Sequence, residues 1–531
     1  MMKETPVFGS AAVAAPHDLA AEAGRAILSE GGNALEAMIA MGAAIAVVYP
    51  HMTGIGGDGF WVFREPSGKA GYIEAAGFAG AGAAIDAYRE KGLERMPLRG
   101  IDAANTVPGA VGGWALALEA ARALGGRLPF EMLMYEAARL AREGFPVSKA
   151  EARYDFDSNP GVVDAPNFKA AYFIDGKKAA AGASRKFPAL AATLEQLARA
   201  GTEDFYRGDI SREIALDMHR LGVPVTRADL AEYRAVFREP LMLRLKDAAL
   251  YNAQPPSQGL TQLMIQGIFE QLNITKRESF EFTHGLVETI KRALAVRLRV
   301  VTDFDRMKHD AASFLTDEAL AREAAAIDMQ RAAPWPFTTQ DGDTIWMGAI
   351  DKNGLAVSYI QSLVWGYGSG VVLPSTGILL QNRGAAFSLD PGAVNPLEPG
   401  RRPFHTLNAP LAAFDDGRVC SYGTMGGDSQ PQITGQTFQR AFRFGMSVSE
   451  ALDAPRFIFE HEVGGDHAHV RVESRFDPAV VSALERAGHR VEVKADAYSD
   501  AFGHSGMLVR HPGGRIEADH DPRSDGGARG M

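Results

Sequence analysis

The stretch Gly342-Asp343-Thr344-Ile345-Trp346-Met347-Gly348-Ala349-Ile350-Asp351-Lys352-Asn353-Gly354 decides how we expect this chain to fold. From Ile345 the residues are apolar and favour a β-strand, and the stretch ends in Asn-Gly, a strong hairpin signal. Residues 355–362 form the predicted return strand. Thr344 therefore lies at the very start of a strand, directly after a small acidic turn.

The composition excludes several classes of protein. The 531-residue chain is 46% hydrophobic and 23% charged, which is typical of a globular protein with an ample core. Its net charge of −10 argues against a nucleic-acid partner. A single cysteine, Cys420, excludes an internal disulfide and a cysteine metal cluster, and its strand-like surroundings predict a buried thiol. The most apolar run, 37–48, is too short to span a bilayer, and we recognise no signal peptide, so we expect a cytoplasmic protein without a membrane partner.

Helical patterns dominate the first part of the chain, and strands are concentrated in its last third. The predicted helices cover residues 17–29, 34–48, 114–124, 129–143, 260–271, 283–301, 429–444 and 447–454. Besides the hairpin, strands are predicted at 7–15, 60–63, 371–373, 407–414 and 419–423. Residues 302–343 are polar and are predicted to end in an exposed loop over 334–342. Because no linker or repeat interrupts the chain, we expect one composite domain.

A glycine-rich segment, Gly54-Ile55-Gly56-Gly57-Asp58-Gly59-Phe60, matches the dinucleotide fingerprint G-x-G-x-x-G literally. That fingerprint requires a strand before it and a helix after it. Here a predicted helix precedes the glycines and a predicted strand follows them. The segment is therefore interpreted as a tight turn that passes close to other backbone, and no nucleotide cofactor is predicted.

Several segments resemble the γ-glutamyltranspeptidase family, in the family's order and over almost the whole chain. They are Gly32-Asn33-Ala34 to Gly59-Phe60, Thr344 to Gly354, Gly377-Ile378-Leu379-Leu380-Gln381-Asn382-Arg383, Arg401-Arg402-Pro403, Gly426-Gly427, Ala454-Pro455-Arg456-Phe457 and Asp521-Pro522-Arg523. The resemblance implies an N-terminal nucleophile hydrolase with a four-layer αββα sandwich. It also implies a proenzyme that cuts itself between Asp343 and Thr344, giving a large chain of residues 1–343 and a small chain of residues 344–531.

The resemblance carries catalytic roles onto four positions. Thr344 matches the nucleophile, and Ser362 matches the hydroxyl residue that hydrogen-bonds to it. Gly426 and Gly427 match the glycine pair whose backbone N–H groups form the oxyanion hole. A free N-terminal threonine can use its own α-amino group as the base, because the ordinary pKa of that group is about 7.7–8.0. This chemistry needs no histidine base, cofactor or metal.

The family's γ-glutamyl anchors do not carry over. The arginine that pairs with the glutamyl α-carboxylate falls near Ala76, the aspartate that binds the α-amino group falls at Ala386, and an assisting asparagine falls at Val364. The paired serines after the Arg-Pro motif become His405 and Thr406. Without the carboxylate and ammonium anchors, recognition of an α-amino acid is lost. The remaining residues resemble a branch of oxamate amidohydrolases.

A small acid amide such as oxamate has one carboxylate and requires one cation. Arg383 is the candidate, since its planar guanidinium suits a carboxylate, with His405 and Thr406 as further hydrogen-bonding groups. Alternatives stay open: Arg383 could only brace its loop, and His405 could be structural. The His467-Ala468-His469 segment lacks zinc-ligand spacing, so no metal site is predicted.

The functional prediction is a self-processing amidohydrolase that converts a small acid amide, most plausibly oxamate, through an acyl-threonine intermediate. Its partners are the amide substrate and the two chains of one precursor, with a dimer of αβ units as a possible assembly. Two other hypotheses remain: a γ-glutamyltransferase or glutathione hydrolase with replacement anchors, and an unprocessed member that serves as a binding protein.

Overall fold

The predicted hairpin is the centre of a large antiparallel sheet in the computed structural model, which describes residues 4–335, 342–460 and 467–531. The strands are β1 Val7–Phe8, β2 Ala12–Ala15, β3 Asp58–Arg64, β4 Ala70–Ala75, β5 Phe145–Pro146, β6 Phe173–Ile174, β7 Lys177–Lys178, β8 Ser184–Arg185, β9 Val236–Arg238, β10 Leu241–Arg244, β11 Ala248–Asn252, β12 Asp343–Ile350, β13 Ala356–Val364, β14 Leu411–Phe414, β15 Val419–Gly423, β16 Phe457–Glu460, β17 His469–Val472, β18 Val491–Val493, β19 Gly506–Arg510, β20 Ile516–His520 and β21 Gly527–Gly530.

The helices flank the sheets on their outer faces. They are α1 Asp18–Ser29, α2 Ala34–Val48, α3 Ile85–Glu90, α4 Ala110–Ala123, α5 Phe130–Glu143, α6 Lys149–Arg153, α7 Phe168–Tyr172, α8 Pro188–Ala200, α9 Asp204–Arg207, α10 Asp209–Leu221, α11 Arg227–Glu232, α12 Gly259–Gln271, α13 Phe280–Val300, α14 Asp317–Ala325, α15 Gln430–Phe438, α16 Val448–Asp453 and α17 Pro478–Arg486. Within the described ranges, no helix is long and apolar enough to cross a membrane.

Two seven-stranded sheets stack face to face. The nucleophile sheet has the order β21-β2-β12-β13-β3-β4-β9, and the second sheet has the order β1-β20-β19-β15-β14-β11-β10. Alternate residues of one strand face opposite layers: Trp346 packs between the sheets, and its neighbour Met347 packs against the helices. Helices α1, α2, α4, α5 and α8 cover the nucleophile sheet, and α12, α13 and α15 cover the second sheet. This is the predicted αββα sandwich.

Most predicted elements are confirmed, with boundaries that shift by a few residues. Asn33 forms a capping box with Glu36 at the start of α2, and this helix is buried along its whole length, as its apolar surface predicts. Cys420 is buried, as expected. The hairpin loop spans Asp351–Leu355, with Gly354 at φ +90°.

Four predictions about local structure are corrected. The single strand expected at 7–15 is two strands, because the chain passes from the second sheet (β1) to the nucleophile sheet (β2). The strand expected at 371–373 is only an isolated bridge between Val372 and Leu379. The polar region after α13 contains the helix α14, which Thr316 caps. The strand expected at 407–414 begins at Leu411. Residues 336–341 of the predicted loop lie outside the described residues.

Candidate functional site

Thr344 lies at the start of β12, on the face that points between the two sheets. Its side chain is 1% exposed. The Thr344 hydroxyl donates a hydrogen bond to Ser362 Oγ at 3.0 Å and accepts one from Gln430 Nε2 at 3.4 Å. Asn408 Nδ2 in turn donates to Gln430 Oε1 at 3.0 Å. The Thr344 hydroxyl is therefore held between Ser362 of β13 and Gln430 at the start of α15.

Ser362 joins the Thr344 hydroxyl to the peptide bond that precedes it. The Ser362 hydroxyl donates to the carbonyl oxygen of Asp343 at 2.7 Å and accepts from the Val364 N–H at 2.7 Å. The β12–β13 register shifts between Asp343 and Ile345, and Val364 adopts φ +89°, which is rare for a β-branched residue. At this irregular end of the two strands, Ser362 Oγ bonds to the Thr344 hydroxyl, the Asp343 carbonyl and the Val364 N–H.

The two glycines predicted to form the oxyanion hole follow β15 and have left-handed backbone angles, with φ +121° at Gly426 and +57° at Gly427. They lie against the segment before Thr344: a Cβ placed on Gly342 would come 3.3 Å from Gly427 Cα and 3.6 Å from Gly427 N. The glycine turn therefore packs against the residues that precede the candidate nucleophile.

A buried ion pair supports the glycine turn from behind. Asp428 forms a bidentate salt bridge with Arg297 of α13, and Arg297 Nη2 lies 2.9 Å from Asp428 Oδ2. Arg297 Nη1 also donates to Gln258 Oε1 at 3.0 Å, and Gln258 Nε2 donates to the Gly427 carbonyl at 2.8 Å. Arg297 and Asp428 are both almost fully buried. The sequence gave no sign of Arg297, Gln258 or Gln430, which other segments contribute.

Arg383 lies near the same end of β13, in a short 3₁₀ turn, and is 1% exposed. Its Nη1 makes a long contact of 3.5 Å with Thr406 Oγ1. Its Nε and Nη2 have no hydrogen-bond partner among the described residues. A buried guanidinium with free donors is a strong anion-binding group, because the missing bonds are costly unless a ligand supplies them.

Asp58 is a member of this cluster that the sequence did not identify as functional. It pairs with Ser362 across the β3–β13 register. Its Oδ1 accepts the N–H groups of Gly77 and Gly109, both at 3.0 Å, and its Oδ2 lies 3.5 Å from His405 Nε2. The sequence did contain one signal for Asp58: it is a carboxylate in an otherwise apolar and glycine-rich segment. A carboxylate buried in such a segment needs a polar partner.

The charges of this cluster are set by burial and by one another. Burial raises the pKa of Asp58 to about 7, although Arg383, Gln381 and the two backbone N–H groups oppose the rise. Burial lowers the pKa of Arg383 to about 10, so its guanidinium stays charged at neutral pH. Burial and the nearby Arg383 hold the pKa of His405 well below its ordinary value, so this ring is neutral.

The glycine-rich segment behaves as predicted. A Cβ on Gly57 would lie 2.1 Å from the Ser362 carbonyl oxygen, and one on Gly56 would lie 2.0 Å from the Leu379 carbonyl oxygen. Only glycine permits this approach. The turn thus supports the backbone of Ser362 and starts β3 at Asp58, and its role is packing beneath the site.

Two histidine clusters away from Thr344 each include carboxylates that also pair with a basic side chain. His469 lies near Glu460 and Glu492, and both carboxylates also contact Arg471. His284, Glu288 and His489 form a second buried group. There, Lys291 Nζ lies 2.7 Å from Glu288 Oε1 and donates to the Ala333 carbonyl, which fastens the segment before residue 336 to α13. The structure gives His467 no place in either group.

The family profile named Gamma-glutamyltranspeptidase matches residues 20–531. The chain belongs to the γ-glutamyltranspeptidase family. It is 45% identical over 517 residues, 97% of each chain, to the "Oxamate amidohydrolase proenzyme" of Klebsiella pneumoniae subsp. pneumoniae. It is 36% identical over 522 residues, 98% of each chain, to the "Glutathione hydrolase-like YwrD proenzyme" of Bacillus subtilis (strain 168).

A solved structure of this family's fold matches the whole chain. The cephalosporin acylase from Bacillus halodurans superposes with a TM-score of 0.89 at 31% identity, covering 100% of this chain and 97% of that one. These relationships confirm the predicted family, the αββα fold and the enzyme class. This γ-glutamyltranspeptidase family member is an N-terminal nucleophile hydrolase.

Proposed function

We propose that this γ-glutamyltranspeptidase family member is a self-processing amidohydrolase that converts oxamate, or a closely similar acid amide, to the dicarboxylate and ammonia. One observation carries the proposal: a fully buried Arg383 with free donors lies near the end of the strand whose Ser362 binds the Thr344 hydroxyl. The 45% identity to a protein named oxamate amidohydrolase proenzyme supports the same substrate class.

Maturation begins when Thr344 Oγ attacks the carbonyl carbon of Asp343. The Ser362 hydroxyl donates to that carbonyl oxygen at 2.7 Å and so polarises it. The C–N bond breaks, the acyl group moves to Thr344 Oγ, and the nitrogen becomes the free α-amino group of Thr344. Water then hydrolyses the ester and releases the Asp343 carboxylate. The products are the proposed chains 1–343 and 344–531.

The sheet pairing supports a stable two-chain product. Strands β12 and β13 of the small chain lie between β2 and β3 of the large chain in one continuous sheet. Cleavage before Thr344 leaves these pairings intact, so the two chains form one composite domain. A dimer of such units and a cytoplasmic location are further parts of the proposal.

In the mature enzyme the α-amino group of Thr344 accepts the hydroxyl proton as Thr344 Oγ attacks the amide carbon. The N–H groups of Gly426 and Gly427 stabilise the resulting oxyanion, and one such donor is worth roughly 3 kcal/mol in the transition state. The C–N bond then breaks, ammonia takes up the proton, and an acyl-Thr344 ester remains. Water hydrolyses this ester and regenerates the threonine.

Substrate selection rests on Arg383, with Thr406 and His405 beside it. A carboxylate that accepts from Arg383 Nε and Nη2 would satisfy both free positions. The positions of the γ-glutamyl anchors hold Ala76, Ala386 and Val364, which have no charge to offer an α-amino acid. Glutathione hydrolysis, the activity after which the Bacillus subtilis relative is named, is the alternative that the assay must distinguish from oxamate hydrolysis.

The test measures ammonia release from oxamate by wild-type enzyme and by Arg383→Lys, which keeps the charge but loses the planar fork. The variant should raise KM for oxamate at least about tenfold, with a smaller change in kcat. Arg440→Lys is the matched control, because Arg440 is fully buried in an ion pair with Glu278. Activity on glutathione or γ-glutamyl anilides with none on oxamate would contradict the proposal. A chain that never cleaves would favour a binding protein.

A further inference from the structure

Five polar atoms in one buried cluster lack hydrogen bonds of ordinary geometry within the described part of the chain. They are Asp58 Oδ2, Arg383 Nε and Nη2, and His405 Nδ1 and Nε2. All three side chains are at most 1% exposed. Buried polar atoms are nearly always bonded, so a cluster of this kind indicates a place for a polar ligand. The cluster contains one fixed positive charge and one group, Asp58, that can be negative.

Asp58 is held rigidly and is not neutralised by a hydrogen-bonded ion pair. The N–H groups of Gly77 and Gly109 fix its Oδ1, and its Oδ2 lies 3.5 Å from Nε2 of the neutral His405 ring. In the sheet, Asp58 lies directly across from Ser362, which binds the Thr344 hydroxyl. A negative charge at Asp58 therefore acts close to the acyl group on Thr344.

The proposed reaction changes the charge of the ligand. An acid amide has one carboxylate, whereas its hydrolysis product has two, so the bound charge goes from −1 to −2. Arg383 supplies one positive charge for the first carboxylate. The second carboxylate forms at the carbon that Thr344 attacks, on the Ser362 side of the cluster, where Asp58 lies.

We infer that Asp58 is the residue that makes this site select the monoanionic amide over the dianionic product, an inference that rests on the proposed function. Removal of its charge would leave Arg383 uncompensated and would favour a second negative charge. For unit charges several ångströms apart in a partly polar protein interior, the effect on dianion binding is on the order of tenfold or more. Asp58 thereby promotes product release as well as substrate choice.

Oxalate and oxamate are the probes, since they are nearly isosteric and differ by one charge. At pH 8, processed Asp58→Asn should lower the ratio of the inhibition constant of oxalate to KM for oxamate at least about tenfold. Glu74→Gln is the matched control: Glu74 is also buried on β4, but it pairs with Arg238 and Arg402. The control should leave the ratio of the two constants unchanged. An unchanged ratio in Asp58→Asn would overturn the inference.

Two further outcomes are also decisive. If wild-type enzyme fails to hydrolyse oxamate, the proposed substrate is wrong, but calorimetric titration with oxamate and oxalate still measures the selection by charge. If Asp58→Asn does not cleave itself, Asp58→Ser replaces it in the same measurements. Failure of both variants to form two chains would assign Asp58 to maturation and overturn its role in product discrimination.

Discussion

Asp428 offers a sharp test of how the glycine turn is positioned. Asp428→Asn keeps the size of the side chain but removes the charge that compensates Arg297, which is buried with it. Breaking a buried ion pair by neutralising one partner costs about 3–5 kcal/mol, because the other charge remains buried. Arg297 also donates a hydrogen bond to Gln258, and Gln258 donates one to the Gly427 carbonyl. Loss of the Arg297–Asp428 pair should therefore also displace the glycine turn.

We therefore expect Asp428→Asn to lower the midpoint of thermal unfolding and to reduce kcat roughly 10²-fold, the usual consequence of losing one oxyanion donor. Self-cleavage should slow as well, since the same turn faces the segment before Thr344. KM for oxamate should change little, because the contact of Asp428 with Arg297 acts on the glycine turn and not on the Arg383 guanidinium.

Glu288→Gln is the matched control for this experiment. Glu288 is equally buried and lies on the same helix as Arg297, but its partner is Lys291. The Glu288→Gln variant should lose about as much unfolding free energy as Asp428→Asn, while its kcat stays near the wild-type value. Parallel loss of activity and stability in both variants, or full kcat in Asp428→Asn, would contradict a role for the Arg297–Asp428 pair in positioning the glycine turn.

Three further predictions concern separate features. Ser362→Ala should slow self-cleavage and lower kcat by roughly 10²-fold, because it removes the hydroxyl that bonds to both Thr344 and the Asp343 carbonyl. Equal cleavage rates for Ser362→Ala and the wild type in a time course would contradict this. His489 has its pKa lowered to about 3 by burial, Lys291 and His284, so the unfolded chain binds the extra proton below its ordinary pKa of 6.5. Stability should then fall by about 1.4 kcal/mol per pH unit as pH drops from 6.5 toward 3, and His489→Asn should flatten that slope in thermal unfolding. Gly57→Ala should give little folded protein because its Cβ would meet the Ser362 carbonyl at 2.1 Å, whereas Gly513→Ala, with no atom within 4 Å, should express normally.

The parts of the fold that the sequence predicted are those with strong local signals. The hairpin around Asn353-Gly354 and the capped start of α2 are set by residues close in the chain. The error at 7–15 has a tertiary cause, because nothing local tells that Val7 and Ala12 enter different sheets. Helix α14 was not predicted because its sequence is mostly polar, although residues such as Leu320 pack it on α12.

The candidate site divides in the same way. Resemblance to the family identified Thr344 and Ser362, which the structure places 3.0 Å apart between hydroxyl oxygens. It gave no information about Arg297, which reaches Asp428 across 131 residues of sequence. Asp58 was visible in its motif, but its effect depends on Arg383, far away in the chain. Contacts between residues so far apart in the sequence arise when the sheets and helices pack, and the spacing of residues along the chain does not predict them.

Intact mass under denaturing conditions, with wild type beside Thr344→Ala, shows whether the chain cuts itself before Thr344 and whether Thr344 is required for the cut. We expect two polypeptides from the wild type, the smaller beginning at Thr344, and one uncut chain of 56.9 kDa from the variant. Ser358→Ala, a hydroxyl of β13 that bonds to Trp346, should cleave like the wild type. A wild-type chain that stays uncut, or a Thr344→Ala chain that cleaves at the same bond, would contradict the assignment of Thr344 as the nucleophile.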